Sequence, residues 1–274
     1  MRQLKKILSL LTLTLFSLFA VFPIYVVLST SFRGDNAFQS TSLEFWTKTS
    51  SISNYFSLFT STDFLTWMRN SLWVSAAVTL IGVGFAIGAG YSLSRFPIRG
   101  KKTGLLILMT TQMFPCTMLL LPFYIVLSHL QLINSFWGLL IIYSATSLPF
   151  CIWQLKGFFD TIPKELEEAA RLDGCSHFQV LYKVILPVSL PALAITSLFN
   201  FMTAWTEYAI AAVVLQDPQL YTLSIGLKTF QSSLATQWGL YAAAAIIVSV
   251  PVVILFMSLS KFLVSGLTMG SVKG

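Results

Sequence analysis

Charge is scarce in this 274-residue sequence, and acid scarcest: 10 Asp and Glu stand against 17 Lys and Arg, and charged residues make up 10% of the chain. Soluble domains carry about 25%, so an ordinary soluble globular fold is excluded. Cysteine and histidine are also few. Cys116, Cys151 and Cys175 lie in or beside apolar segments and read as free, buried thiols rather than a disulfide framework. His129 and His177 are isolated, and no metal-ligand spacing occurs. No carboxylate pair or Ser/His set suggests catalysis, so the chain reads as a non-enzyme. Gly100-Lys101-Lys102-Thr103 superficially resembles a phosphate loop. Arg95 stands where the first glycine belongs, however, and Lys102 where Ser or Thr should follow the lysine, so no nucleotide site is expected.

Apolar residues fill the gap. They make up 55% of the chain and raise the mean hydropathy to +0.77, which marks an integral membrane protein. Six apolar runs, at about 7–32, 69–94, 104–128, 137–157, 187–213 and 239–265, each reach the ~20 residues that a spanning helix needs. The first follows Arg2, Lys5 and Lys6, is longer than a signal-peptide core and lacks a small-x-small cleavage site, so it reads as an uncleaved span. Six spans put both termini on one side. Thirteen of the 17 basic residues fall on the side of the termini, leaving Arg33, Lys48, Arg69 and Lys228 on the other. By the positive-inside rule the termini are cytoplasmic. The net charge of +7 is thus a topology signal, not a nucleic-acid patch. Trp67, Trp137 and Trp238 fall at outer span ends, as in an aromatic belt. The expected organisation is a first helix with its external loop over 1–68, a transmembrane domain over 69–265 and a cytoplasmic tail over 266–274.

Within the spans, Gly84 and Gly88 form a G-x-x-x-G that predicts a close helix contact. Pro115, Pro149 and Pro251 are expected to break helical ladders. Glu207 is the one acidic residue in a predicted span. A charge at the membrane centre costs ~2.5–3.5 kcal/mol on insertion scales, so such a residue faces a cavity or a partner. Trp205, Glu207 and Tyr208 are therefore candidates for a sugar path, aromatic faces suiting sugar C–H surfaces and a carboxylate accepting from hydroxyls. Pairing across a subunit interface, or snorkelling, explains Glu207 equally well. Asn200 and Gln112 are weaker polar candidates, since hydrogen bonding between helices also accounts for them.

The most polar stretch between spans runs over 158–186. Pro163 can open a helix, and Glu165, Glu167 and Glu168 crowd its first turns, where the helix dipole favours acid. Helical spacing puts Leu166, Ala169, Ala170 and Asp173 on one face and Lys164, Glu167, Glu168 and Arg171 on the other, with Lys164–Glu168 and Glu168–Arg171 as possible ion pairs. Gly174 can end the helix in a left-handed cap. Ser176 and Gln179 have capping-box spacing and start a second helix with Phe178, Leu181, Tyr182 and Ile185 on its apolar face. A helical hairpin lying on the membrane surface is the plainer reading of such a loop.

Glu168-Ala169-Ala170, then Asp173-Gly174, then Leu186-Pro187, resembles the EAA loop of ABC-transporter importer permeases, with Cys175 where that family commonly has alanine. Met113-Phe114-Pro115, Thr222–Gly226 and the ending Gly266–Gly274 are similar to the maltose-type carbohydrate branch, and in particular to its second, shorter permease subunit. The resemblance covers nearly the whole chain. It implies an all-α membrane protein with six transmembrane helices, a type I importer transmembrane domain and a cytoplasmic EAA coupling helix. It further implies a bacterial or archaeal inner-membrane location, a sister permease, an ABC ATPase dimer that binds ATP and Mg, an external solute-binding protein and a carbohydrate substrate. No cofactor is then expected in this chain, and Glu168, Ala169, Ala170, Asp173, Gly174, Leu186 and Pro187 would couple it to the ATPase. The alternatives are a permease for a non-sugar solute, an ion-coupled transporter or channel, and a membrane scaffold. An ion-coupled protein should carry buried ionisable residues in several spans, and Glu207 stands alone.

Overall fold

The computed structural model describes residues 2–34, 45–231 and 236–269, all helix and connection apart from one isolated bridge, Arg33 to Ser50. Four helices are long and apolar enough to cross a membrane: α1 (Arg2–Ser31), α3 (Phe64–Arg95), α6 (Phe136–Thr161) and α13 (Trp238–Met269). A short α2 (Ser53–Thr60) precedes α3. Two bent helix pairs raise the number of spans among the described residues to as many as six. In the third, α4 (Lys101–Thr111) and α5 (Leu120–His129) meet at 91° around Met113-Phe114-Pro115. Pro115 cannot donate to the ladder, and Phe114 before it is pushed out of the helical region. Pro149 and Pro251 behave differently from the sequence expectation, since α6 and α13 run through them unbroken.

The EAA region holds α7 (Glu165–Leu172), α8 (His177–Val180), a wider i→i+5 turn over Leu181–Ile185 and α9 (Leu186–Val188). The stretch from His177 to Val188 meets α10 (Leu190–Thr206) at 81°. The fifth span therefore starts at Leu190 rather than 187, and it breaks at Glu207 before α11 (Ala209–Val214). α12 (Leu223–Thr229) completes the set.

The chain forms two compact units. In the first (Met1–Leu65 with Gly226–Pro251), Asn54 Nδ2 donates to the carbonyls of Ser31 and Arg33 at 3.0 and 2.8 Å, and the Ser31 and Tyr55 hydroxyls meet at 2.7 Å. These bonds fold the segment after α1 back on α2. Gly239 fits here because a Cβ would stand 2.5 Å from Asn54 Nδ2. The external loop expected before the second span thus holds a helix over Ser53–Thr60; residues 35–44, 232–235 and the last five of the Gly266–Gly274 motif lie outside the described residues.

The second unit (Thr66–Ile225 with Val252–Gly274) contains the candidate site. Two apolar clusters follow α3 and α6, one around Val78, Leu139, Tyr143 and Ile210, the other around Ala86, Leu155, Phe159 and Ile185. Lipid removes the hydrophobic drive between helices, so close packing of small residues matters more. The residues that supply it are not the predicted pair. A Cβ at Gly84 or Gly88 meets nothing within 4 Å, whereas one at Gly90 would stand 3.1 Å from the Lys156 backbone nitrogen and one at Gly82 would collide with Asn200. The sequence pattern names a helix face, but only the neighbours' positions decide which glycines touch. Trp67 also departs from expectation: α3 starts five residues early and buries it, while Trp137 is exposed.

Candidate functional site

Two regions of the second unit carry the polar chemistry. The first is a cleft where the bent third span opens away from α6. It has a volume of about 550 Å³ and includes Thr111, Gln112, Phe114, Cys116, Thr146 and Pro149 in its walls. It shares Gln112, Cys116 and Thr146 with a smaller cavity of about 240 Å³ that reaches Val78, Tyr143, Asn200, Thr203 and Glu207. Of the five predicted path residues, the structure brings Gln112, Asn200 and Glu207 to one cavity. Trp205 is buried and stacked on Phe201 at 5.4 Å, and Tyr208 is exposed; neither lines it. The break after Thr206 separates the three residues that sequence proximity had grouped. Cys116, expected to be buried, is exposed in this cleft.

Glu207 already has partners. Its carboxylate accepts from the backbone N–H groups of Ile210 and Ala211 at 2.8 and 3.1 Å, and from the Tyr143 hydroxyl at 2.7 Å. It thereby satisfies orphan donors at the start of α11, where the dipole also favours an anion. One side chain holds the break in the fifth span and presents an acceptor to the cavity. Gln112 Nε2 donates to the Thr146 carbonyl at 2.9 Å. Asn200 Nδ2 donates to the Val78 carbonyl at 3.3 Å, and its fully buried Oδ1 has no hydrogen-bond partner. That oxygen is an unpaired acceptor on a residue that lines the small, mostly apolar cavity.

The second region is the EAA loop. Gly174 adopts φ +85°, as a left-handed cap requires. Ser176 and Gln179 form the predicted capping box, with Ser176 N–H donating to Gln179 Oε1 at 2.8 Å. Glu168, Ala169, Asp173, Gly174 and Pro187 are exposed, and Ala170 and Leu186 half-buried. Glu167, whose spacing groups it with Lys164, Glu168 and Arg171 on one face, is buried while those three are exposed. Its carboxylate pairs with Arg95 at the end of α3 and accepts from the Tyr91 hydroxyl at 3.1 Å. Among the described residues the pairs Lys164–Glu168 and Glu168–Arg171 do not form. The second helix also turns differently. Val180 and Ile185 are buried, while Phe178 and Tyr182 are 76% and 67% exposed, because the wide turn rotates the face that a uniform 3.6-residue period assigns. His177 stacks on Phe96 at 5.8 Å. Spacing alone could not find the Glu167–Arg95 pair; the one hint is a third acid crowded onto a two-turn helix.

Residues 80–268 match the family described as binding-protein-dependent transport system inner membrane component. The chain belongs to this family. It is 36% identical to the maltodextrin transport system permease protein MdxG of Bacillus subtilis, over 100% of this chain and 98% of that protein. It is 34% identical to the diacetylchitobiose uptake system permease protein DasC of Streptomyces coelicolor, covering 92% and 91% of the two chains. A chain from the crystal structure of a bacterial ABC transporter involved in the import of the acidic polysaccharide alginate superposes with a TM-score of 0.80 at 25% identity, over 94% of this chain and 96% of that one. The protein is a multi-pass membrane permease with the type I ABC importer fold. In this permease the cleft and the EAA loop lie at two levels of one unit, joined by α3, which carries Val78 at the cavity and Arg95 at the loop.

Proposed function

We propose that this chain is one of two permease subunits of an ATP-driven, binding-protein-dependent importer for maltodextrin or a related oligosaccharide. The observation that carries this reading is full-length similarity to the maltodextrin permease MdxG, 36% over the whole chain. The cleft agrees with it. Gln112, Thr146, Asn200 and Glu207 supply amide, hydroxyl and carboxylate groups for neutral hydroxyls, and among the described residues no basic side chain lines either cavity. The sister permease would close the open side of the cleft.

The EAA loop faces the cytoplasm in this reading, as the distribution of Lys and Arg supports. A separate ATPase dimer holds ATP and Mg. Its docking surface on this chain combines Glu168, Ala169, Ala170, Asp173, Gly174, Leu186 and Pro187 with the exposed Leu172 and Phe178. An aromatic and a leucine at the centre of a polar patch suit a protein groove. An external solute-binding protein would meet the opposite face, including the loop 215–222. Closure of the ATPase pair on ATP biases the permease toward an outward-open state and hydrolysis resets it, a two-state element biased from both sides.

The test is purification of the transporter with its co-expressed subunits, reconstitution in liposomes and assay of ATP hydrolysis with binding protein and sugar. Stimulation by malto-oligosaccharide together with ATP-dependent uptake is the expected result. Uptake by this chain alone without ATP would overturn the importer reading, and stimulation by a non-sugar solute alone would overturn the substrate class.

A further inference from the structure

We infer that Arg95 and Glu167, steadied by Tyr91, are positioning residues that latch the coupling helix α7 to α3 and carry its displacement to the solute cavity. This rests on the reading of α7 as the ATPase-docking helix. The side chains of Arg95 and Glu167 are 7% and 6% exposed. The Arg95 guanidinium pairs with Glu167 through Nε and donates from Nη2 to the Ile162 carbonyl at 3.0 Å, so it also holds the turn that leads into α7. Tyr91 donates to the other oxygen of Glu167 and sets its ring edge-on to Phe159 of α6 at 6.4 Å.

This pair is the polar attachment of α7 to α3; α7 also packs on α8 and on the wide turn over Leu181–Ile185. Glu167 is the one buried residue of that helix; Ala170 is half-buried and the other six residues are exposed. A push on the exposed face therefore leaves α7 through its chain ends and its packing on the 181–185 turn, and reaches α3 through this carboxylate. What receives it is one continuous helix. α3 runs without proline to Arg95, and Gly90 allows its backbone to lie against the Lys156 nitrogen of α6. About 26 Å back along α3, at 1.5 Å per residue, Val78 lines the small cavity and accepts from Asn200. A solvated surface pair would contribute little, but a buried one cannot lose a partner without leaving an uncompensated charge. That fixes the angle between α7 and α3 in both transport states.

The experiment uses the whole transporter in proteoliposomes and measures sugar taken up per ATP hydrolysed. Glu167→Gln and Arg95→Gln should lower this ratio about a hundredfold, the loss expected when one partner of a buried charged pair is removed, while the ATPase still co-purifies. Tyr91→Phe, which deletes one hydroxyl, should lower it about tenfold, as fits one hydrogen bond to a charged group. The charge swap Arg95→Glu with Glu167→Arg should recover more of the ratio than either of its single changes alone. A purely structural pair would reduce the amount of transporter and leave the ratio of the surviving molecules unchanged. That result, or an unchanged ratio in Tyr91→Phe with no recovery by the swap, overturns the proposal. If the ATPase does not co-purify even with the unsubstituted chain, it is the docking reading that has failed.

Discussion

Asn200 of α10 occupies the space that a side chain on Gly82 of α3 would need, since an added Cβ would collide with its amide nitrogen. The same amide donates to the Val78 carbonyl one turn earlier on α3. The two helices thus cross where one has no side chain and the other a short polar one, the arrangement that membrane interiors favour.

Gly82→Ala should therefore rotate Asn200 off Val78 and destabilise the permease by about 1–3 kcal/mol, the cost of stranding buried polar groups. Thermal unfolding of the detergent-solubilised protein measures it. Asn200→Ala in the same chain should relieve the collision, so the double variant should be more stable than the sum of the single effects allows.

Gly174→Asp should leave the protein in the membrane but separate ATP hydrolysis from uptake. A Cβ there meets nothing within 4 Å, so the fold has room. The cost is the left-handed backbone, about 1–2 kcal/mol for an L-residue, and a new charge on the exposed face of the EAA loop. Membrane fractionation and uptake per ATP check the two halves. Loss of insertion would make this glycine a folding residue.

Glu207→Gln keeps one carbonyl oxygen where the carboxylate serves Ile210, Ala211 and Tyr143. Hydrogen bonds to charged groups contribute about 1.5–3 kcal/mol each, so the variant should unfold at lower temperature and take up sugar with altered selectivity. Tyr143→Phe should show the smaller thermal effect. An unchanged sugar profile in both would confine Glu207 to capping α11.

Asn70 Nδ2 donates to the Gln219 and Tyr221 carbonyls at 2.9 and 3.0 Å, and Ser71 accepts from the Leu223 N–H at 2.7 Å. Asn70→Ala should free the 217–222 segment, seen as faster protease cleavage there. It should also weaken stimulation by the binding protein while leaving ATPase co-purification unchanged.

Local chemistry made much of this legible. Four of the six apolar runs are single continuous helices, because such a helix satisfies its own backbone in lipid, and the other two are broken. Gly174 and the Ser176–Gln179 box fold as their spacing requires, because those bonds close within four residues. What the sequence alone could not decide is every contact between distant segments. It offered Gly84 and Gly88 as the helix contact, but Gly82 and Gly90 make it. It grouped Trp205, Glu207 and Tyr208 as neighbours, yet a two-residue break sends one inward, one to the cavity and one out. It grouped Glu167 with Lys164, Glu168 and Arg171, but Glu167 alone of these is buried, paired with Arg95, 72 residues earlier. Periodicity reports which residues share a face; which face meets which partner, and at what distance, is fixed by the packing of whole helices.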